Sequence, residues 1–122
     1  MEPVIYGDGE QTRDFVYIQD VVEANMLALN TKSAAGEVFN IGSGYRTTVN
    51  QVAQTIKNSL NRNDIKNVYA DPRPGEVKHA YADINKARMM LNYAPRFSFE
   101  QGIEDLVAWY KTQLPLTSVK DS

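Results

Sequence analysis

The chain has 122 residues, a formal net charge of −2, no cysteine and one histidine. That balance disfavours a general nucleic-acid binder, which should carry a basic face, excludes disulfides and cysteine-held metals, and offers no apolar run near the roughly 20 residues that span a bilayer. With 43 % hydrophobic and 23 % charged residues, the composition is that of a folded domain rather than a disordered chain. Met1-Glu2-Pro3 has neither the basic start nor the apolar stretch of a signal peptide, so a soluble cytoplasmic protein is expected.

Val4-Ile5-Tyr6 is β-branched and aromatic and stops at Gly7, which predicts a short strand. Residues 7–12 form a Gly-rich polar loop, and alternation from Arg13 to Tyr17 predicts a second strand, joined to the first as in a hairpin. Asp20 stands where a helix cap belongs. Val21, Val22, Ala24, Met26, Leu27 and Leu29 give the helix after it a broad apolar face. Thr31 to Gly36 reads as a loop of small residues, and Glu37 to Ile41 predicts a third strand ended by Gly42-Ser43-Gly44.

Thr48 is the predicted N-cap of an amphipathic helix over 49–60, with Val49, Val52, Ala53, Ile56 and Leu60 at helical spacing. A turn at 61–64 leads to a short strand within 65–70. Two prolines and a glycine keep Asp71-Pro72-Arg73-Pro74-Gly75 out of regular structure. Asp83 is the predicted cap of a helix from Ile84 to Leu91. Ser98, with Gln101 at capping-box spacing, opens a helix from about Phe99 to Gln113. Phe99, Ile103, Leu106, Val107 and Tyr110 are its expected buried face. The fold class is therefore mixed α/β, with too few alternating units for a complete doubly wound sheet. Residues 1–114 are expected to form the domain and 115–122 a frayed tail.

The pattern carries no catalytic machinery. Gly7-Asp8-Gly9 lacks the third glycine of a dinucleotide loop, and Gly42-Ser43-Gly44 has Thr47 where that glycine belongs. No tyrosine has a lysine four residues on, and one histidine cannot build a Ser/His/Asp arrangement. Carboxylates do not cluster at metal-ligand spacing. No catalytic, cofactor-binding or metal residue is therefore expected. His79 reads as a solvated or hydrogen-bonded group. Tyr45, Tyr69, Tyr81, Tyr93 and Tyr110 read as half-buried packing groups, and Trp109 as core or domain contact.

Three polar loops remain: Gly7 to Arg13, Asn40 to Gly44, and Pro72 to Glu76. Each alone is an ordinary surface turn. Together they offer two arginine forks, an amide and a carboxylate, which are the parts for a nucleoside diphosphate. Arginine suits the phosphates, an acid suits ribose hydroxyls, and Tyr6 or backbone suits the base. The residues alone do not show that the loops meet.

The stretch Tyr6-Gly7-Asp8-Gly9-Glu10-Gln11-Thr12-Arg13-Asp14-Phe15-Val16-Tyr17-Ile18-Gln19-Asp20 resembles the start of the C-terminal part of extended short-chain dehydrogenase/reductases acting on nucleotide sugars. UDP-glucose 4-epimerases, dTDP-glucose 4,6-dehydratases and UDP-glucuronate decarboxylases share it. Phe39-Asn40-Ile41-Gly42-Ser43-Gly44, Arg73-Pro74-Gly75-Glu76-Val77 and Ala82-Asp83-Ile84-Asn85-Lys86-Ala87 follow in the family's order. Ser98-Phe99-Glu100-Gln101-Gly102 and Trp109-Tyr110 close the set, so the resemblance covers Pro3 to about Gln113.

The resemblance implies the small C-terminal domain of an NAD(P)-binding, Rossmann-like enzyme, with the Rossmann portion missing. It implies that Val4, Ile5 and Tyr6 border the nucleobase, and that Gln11 and Asn40 approach the nucleotide. Arg13 and Arg73 would contact the diphosphate and Glu76 the ribose. In the full enzyme NAD takes hydride from C4 of the sugar and returns it to the other face, most simply interconverting UDP-glucose and UDP-galactose. This chain alone is expected to bind UDP-sugar or another nucleoside diphosphate sugar, to bind no NAD, nucleic acid or membrane, and to be inactive. A dehydratase or decarboxylase is the alternative within the family. A self-associating, non-catalytic module, pairing through surface that the missing domain leaves exposed, is the alternative of another class.

Overall fold

The computed structural model describes residues 2–114; the expected fraying of 115–122 lies outside the described residues. Two small sheets, four α-helices and a 3-10 turn at Lys32–Ala34, within the stretch expected to be a loop, make up the described fold. β1 (Val4–Tyr6) pairs in parallel with β4 (Val68–Ala70), Val4 opposite Val68 and Tyr6 opposite Ala70. β2 (Thr12–Arg13) pairs antiparallel with β3 (Thr47–Thr48). The helices are α1 (Ile18–Asn30), α2 (Val49–Ser59), α3 (Asn85–Leu91) and α4 (Phe99–Gln113). None among the described residues is long and apolar enough to cross a membrane.

Local chemistry explains the helix ends. Gln51 N–H donates to Thr48 Oγ1 at 3.0 Å, and Thr48 N–H donates back to Gln51 Oε1 at 2.8 Å. Ser98 and Gln101 repeat this reciprocal box at the start of α4, at 3.1 and 2.9 Å. Each box satisfies two amides that a helix start leaves orphaned. α3 stops where Asn92 enters the left-handed region at φ 54°, a turn that an amide side chain tolerates better than most.

Several sequence expectations need correction. β1 and β2 lie in different sheets, so the connection between them is not a hairpin. The strand expected over 13–17 shrinks to β2, because Asp14 to Tyr17 meet no neighbouring strand among the described residues. The strand expected over 37–41 is absent for the same reason. Lys86 Nζ–H instead donates to Glu37 Oε2 and to Val38 O, both at 2.8 Å, while Phe39 and Ile41 pack against the core. A β-rich composition without a ladder partner cannot hold a strand. Asp20 is not a cap, since Tyr17 occupies that position. Its buried carboxylate accepts from Arg96 N at 2.9 Å and Phe97 N at 3.3 Å, tying the approach to α4 onto α1. Asp83 stands one residue ahead of the α3 cap position, Ile84, and accepts from Asn85 N at 3.0 Å.

The core lies between α1 and α3 and consists of Ala24, Ala34, Ile84, Ala87, Leu91 and Tyr93. Tyr93 is fully buried rather than half-buried, and its hydroxyl donates to Gly42 O at 2.8 Å. α4 departs from expectation. Phe99, Ile103 and Val107 are half-buried, but Leu106 and Tyr110 are exposed, as is Trp109. Gly102 faces the Tyr17 ring, where an added Cβ would make an ordinary van der Waals contact at 3.5 Å.

Candidate functional site

Parallel strands end on the same side. The loops after Tyr6 and Ala70 therefore emerge next to each other, and Gly7 N–H donates to Ala70 O at 2.8 Å. Gly7 has φ +92°, open to glycine and strained for other residues. Between the two loops is a cleft of about 490 Å³, lined among others by Tyr6, Gln11, Arg73, Glu76 and Lys78. That volume lies in the range of small-molecule pockets.

The predicted residues take different places around it. Gln11 is buried and its Nε2–H donates to Tyr6 O at 2.9 Å, fixing the loop from inside. The Arg73 guanidinium stacks over the Tyr6 ring, 4.4 Å from its centroid, a cation–π contact that holds the fork over the cleft. Arg13 Nη1 donates to Thr12 O at 2.7 Å and to Lys78 O at 3.2 Å, and Nη2 donates to Glu76 Oε1 at 3.3 Å. Arg13 thus reaches the cleft through Glu76, while it also lines an open neighbouring cleft with Asn40, Asp14 and Tyr81. Asn40 belongs to that second cleft and does not share the first. Val4 is exposed, but the Ile5 side chain is buried at 4 % exposure, so only its backbone could face a ligand.

A larger cleft of about 580 Å³ lies between α2 and the start of α4. None of the predicted residues lines it, and its arginines are engaged elsewhere. Arg46 stacks on Tyr81 at 4.1 Å, and Arg96 stands 3.9 Å from Glu23. Convergent charged groups favour the smaller cleft.

Three residues that the sequence reading passed over shape this cleft and the neighbouring one. Asn50, at the start of α2, clamps the Gly-rich loop. Its Nδ2 donates to Asp8 O at 3.1 Å and to Glu10 Oε1 at 2.7 Å, its Oδ1 accepts from Tyr69 Oη–H at 2.8 Å, and its backbone N–H donates to Gly9 O at 3.0 Å. Lys78 crosses from the second loop to Asp8 on the first, at 3.0 and 2.9 Å from its two carboxylate oxygens. Hydrogen bonding by Lys78, then by the Glu10 amide, holds the Asp8 carboxyl below its ordinary range. Asp14 is the third. It accepts from Ser43 N and Ser43 Oγ at 2.7 Å each, from Gly44 N at 3.0 Å and from Ala82 N at 3.2 Å. Burial pushes its carboxyl up, but these donors outweigh burial and leave it below the usual value. The partners of all three are tens of residues away in sequence, and no local signal marks them.

Asp14 also decides what the second glycine pair can hold. The amides of Ser43 and Gly44, which in a dinucleotide loop would face a pyrophosphate, are taken by this chain's own carboxylate. A Cβ at Gly42 would lie 2.7 Å from Asp14 Oδ2 and 2.8 Å from Ala82 Cβ. These residues do not fit NAD. His79 Nδ1 lies 2.9 Å from Thr12 Oγ1, a hydrogen-bonded pair as read from the sequence. No group of His, Cys, Asp and Glu suited to a metal occurs among the described residues.

Residues 1–106 match the profile of a protein family described as GDP-mannose 4,6 dehydratase. The chain belongs to this family. Its relatives are epimerases and dehydratases of nucleotide sugars, within the extended short-chain dehydrogenase/reductases. A Methanocaldococcus jannaschii protein assigned provisionally as a UDP-glucose 4-epimerase is 44 % identical over 89 % of this chain and 34 % of its own. The structure of a Thermotoga maritima UDP-glucose 4-epimerase with UDP-glucose superposes with a TM-score of 0.85 at 41 % identity, over 93 % of this chain and 36 % of that one. A Bacillus cereus UDP-glucuronic acid 4-epimerase with UDP-glucuronic acid and NAD gives 0.82 at 34 % identity, over 92 % and 36 %. This member of the family thus spans about a third of the length of the relatives it matches, and its small mixed α/β fold is theirs over that third.

Proposed function

We propose that this chain forms the nucleotide-anchoring part of an NAD-dependent nucleotide-sugar epimerase of the UDP-glucose 4-epimerase type, acting in the cytoplasm and without catalytic power of its own. The observation that carries the reading is that Tyr6, Gln11, Arg73 and Glu76 line one cleft and that Arg13 is ion-paired to Glu76 at its edge. Arg73 and Arg13 are forks for a diphosphate. Glu76 accepts from ribose hydroxyls while its other contact steadies Arg13. The exposed face of Tyr6 borders the base. Holding the nucleotide is binding energy from a part of the substrate that does not react, spent on positioning the sugar. The sugar is then free to turn while its nucleotide stays fixed. Hydride chemistry falls to NAD in the whole protein, and these residues do not hold it.

Titrating UDP into the 122-residue chain should shift the side-chain NMR signals of Arg13 and Arg73. Arg13→Ala should weaken binding roughly tenfold, the loss of one charge-assisted contact in a partly exposed site. Unchanged affinity in that variant would count against the reading. The same cleft suits a dTDP-glucose 4,6-dehydratase or a UDP-glucuronate decarboxylase, and competition between UDP and dTDP separates the bases. The exposed Leu106, Trp109 and Tyr110 on α4 support a second reading, a self-associating module. Sedimentation of a clean monomer would remove it.

A further inference from the structure

We propose that Lys78 is a third phosphate-binding cation of this cleft, held in reserve by Asp8. The inference rests on the nucleotide reading above and extends it to a pair of residues that reading does not use. Lys78 and Asp8 face each other across the cleft from its two opposing loops. Asp8 has the wrong sign to meet a diphosphate, so its place in an anion cleft needs a reason. The reason is a counter-ion for Lys78 while the cleft holds no anion.

The three cations differ in how they are held. Arg13 is fixed by three acceptors, Thr12 O, Lys78 O and Glu76 Oε1. The Arg73 guanidinium is held over the Tyr6 ring. Among the described residues, the Lys78 ammonium has only an ion pair in which both side chains are more than half exposed, at 52 % and 61 %. Such a pair is cheap to open, because water competes for both charges. Asp8 does not become an orphan when it opens, since its Oδ1 also accepts from Glu10 N at 2.9 Å. The lysine stem is flexible and carries three donors on a compact charge. A diphosphate therefore takes Lys78 from Asp8 by an exchange of partners, with no covalent change. The backbone carbonyl of Lys78 meanwhile keeps Arg13 in place, so the fixed cation and the movable one share an anchor.

Calorimetric titration of the 122-residue chain with UDP, uridine and inorganic pyrophosphate tests this. Lys78→Met should weaken UDP and pyrophosphate roughly fivefold and leave uridine unchanged, and Lys78→Arg should keep most of the affinity. Asp8→Asn should strengthen UDP binding more in the chain that keeps Lys78 than in the Lys78→Met chain, because only there does it free a cation. If the methionine variant is unfolded by circular dichroism, Lys78→Gln decides in its place. UDP binding that is equally tight without the Lys78 charge overturns the inference and leaves the nucleotide reading standing. So does a loss that falls equally on uridine, which marks a merely structural role. No UDP binding by the unaltered chain overturns both.

Discussion

Replacing Asp14 with asparagine tests how the neighbouring cleft, which Arg13 also lines, is braced. The carboxylate gathers four donors from two segments, Ser43 N, Ser43 Oγ, Gly44 N and Ala82 N, at 2.7 to 3.2 Å. A hydrogen bond to a charged group is worth about 1.5–3 kcal/mol, and the values do not add where water has partial access. Asparagine keeps the shape and one acceptor but sets an NH2 group against the amides of Gly44 and Ala82. A loss of about 2–4 kcal/mol is therefore expected, with Asp14→Ala near the upper end. A small domain has about 5–15 kcal/mol in all, so this is a large share. Urea unfolding followed by circular dichroism should show the midpoint falling by about 1–2 M with an unchanged slope.

The pH dependence follows from the same contacts. The folded carboxyl lies below its ordinary value of 3.8. The unfolded chain then takes up the proton first as pH falls. The stabilisation is complete above about pH 4 and fades as pH drops through the lower folded value. Asp14→Asn should flatten that acid limb. A variant within about 0.5 kcal/mol of the unaltered chain, with the same acid limb, would refute the bracing role.

Burial pushes the Tyr93 hydroxyl up to about 12, with the nearby charges of Asp20 and Asp14 acting in the same direction. An ultraviolet titration should show one of the seven tyrosines ionising last, and stability falling between about pH 10 and 12 as the unfolded chain loses that proton first. Gly9→Ala should destabilise by about 1–3 kcal/mol and weaken UDP binding. Its φ is +76° and a Cβ there would overlap the Asn50 carboxamide, forcing the clamp off the loop; thermal melts and the UDP titration read both effects.

What could be read from the residues depended on how local the physics was. The boxes Thr48/Gln51 and Ser98/Gln101 are contained within four residues each, so both helix starts were legible. β1 was legible because β-branched residues stop at a glycine. The strand over 37–41 was misread because its composition suits a sheet, while pairing depends on a neighbour that the described residues do not supply. The arginines and Glu76 were legible as chemistry, but their meeting depends on β1 finding β4. Asn40 has similar chemistry and lies in another cleft. Asp8, Asn50 and Lys78 looked like ordinary surface residues, since their importance comes from partners 40 and 70 positions away.

The parallel register of β1 with β4 has a kinetic consequence. α1 and α2 form from neighbouring residues, but the β1–β4 ladder must close over the chain between Tyr6 and Val68 before its first bond is made. Loop closure of that kind costs entropy ahead of any reward and marks late steps on a folding path. Closure of the cleft between the two loops therefore belongs with the other long-range contacts of the fold, such as Asp20 to Arg96, and follows the local helices. The amides of Gly7 and Val68, bonded to Ala70 O and Pro3 O at 2.8 Å each, are its natural hydrogen-exchange reporters. A ligand that bridges the two loops would act as a staple across a long-range contact of the chain.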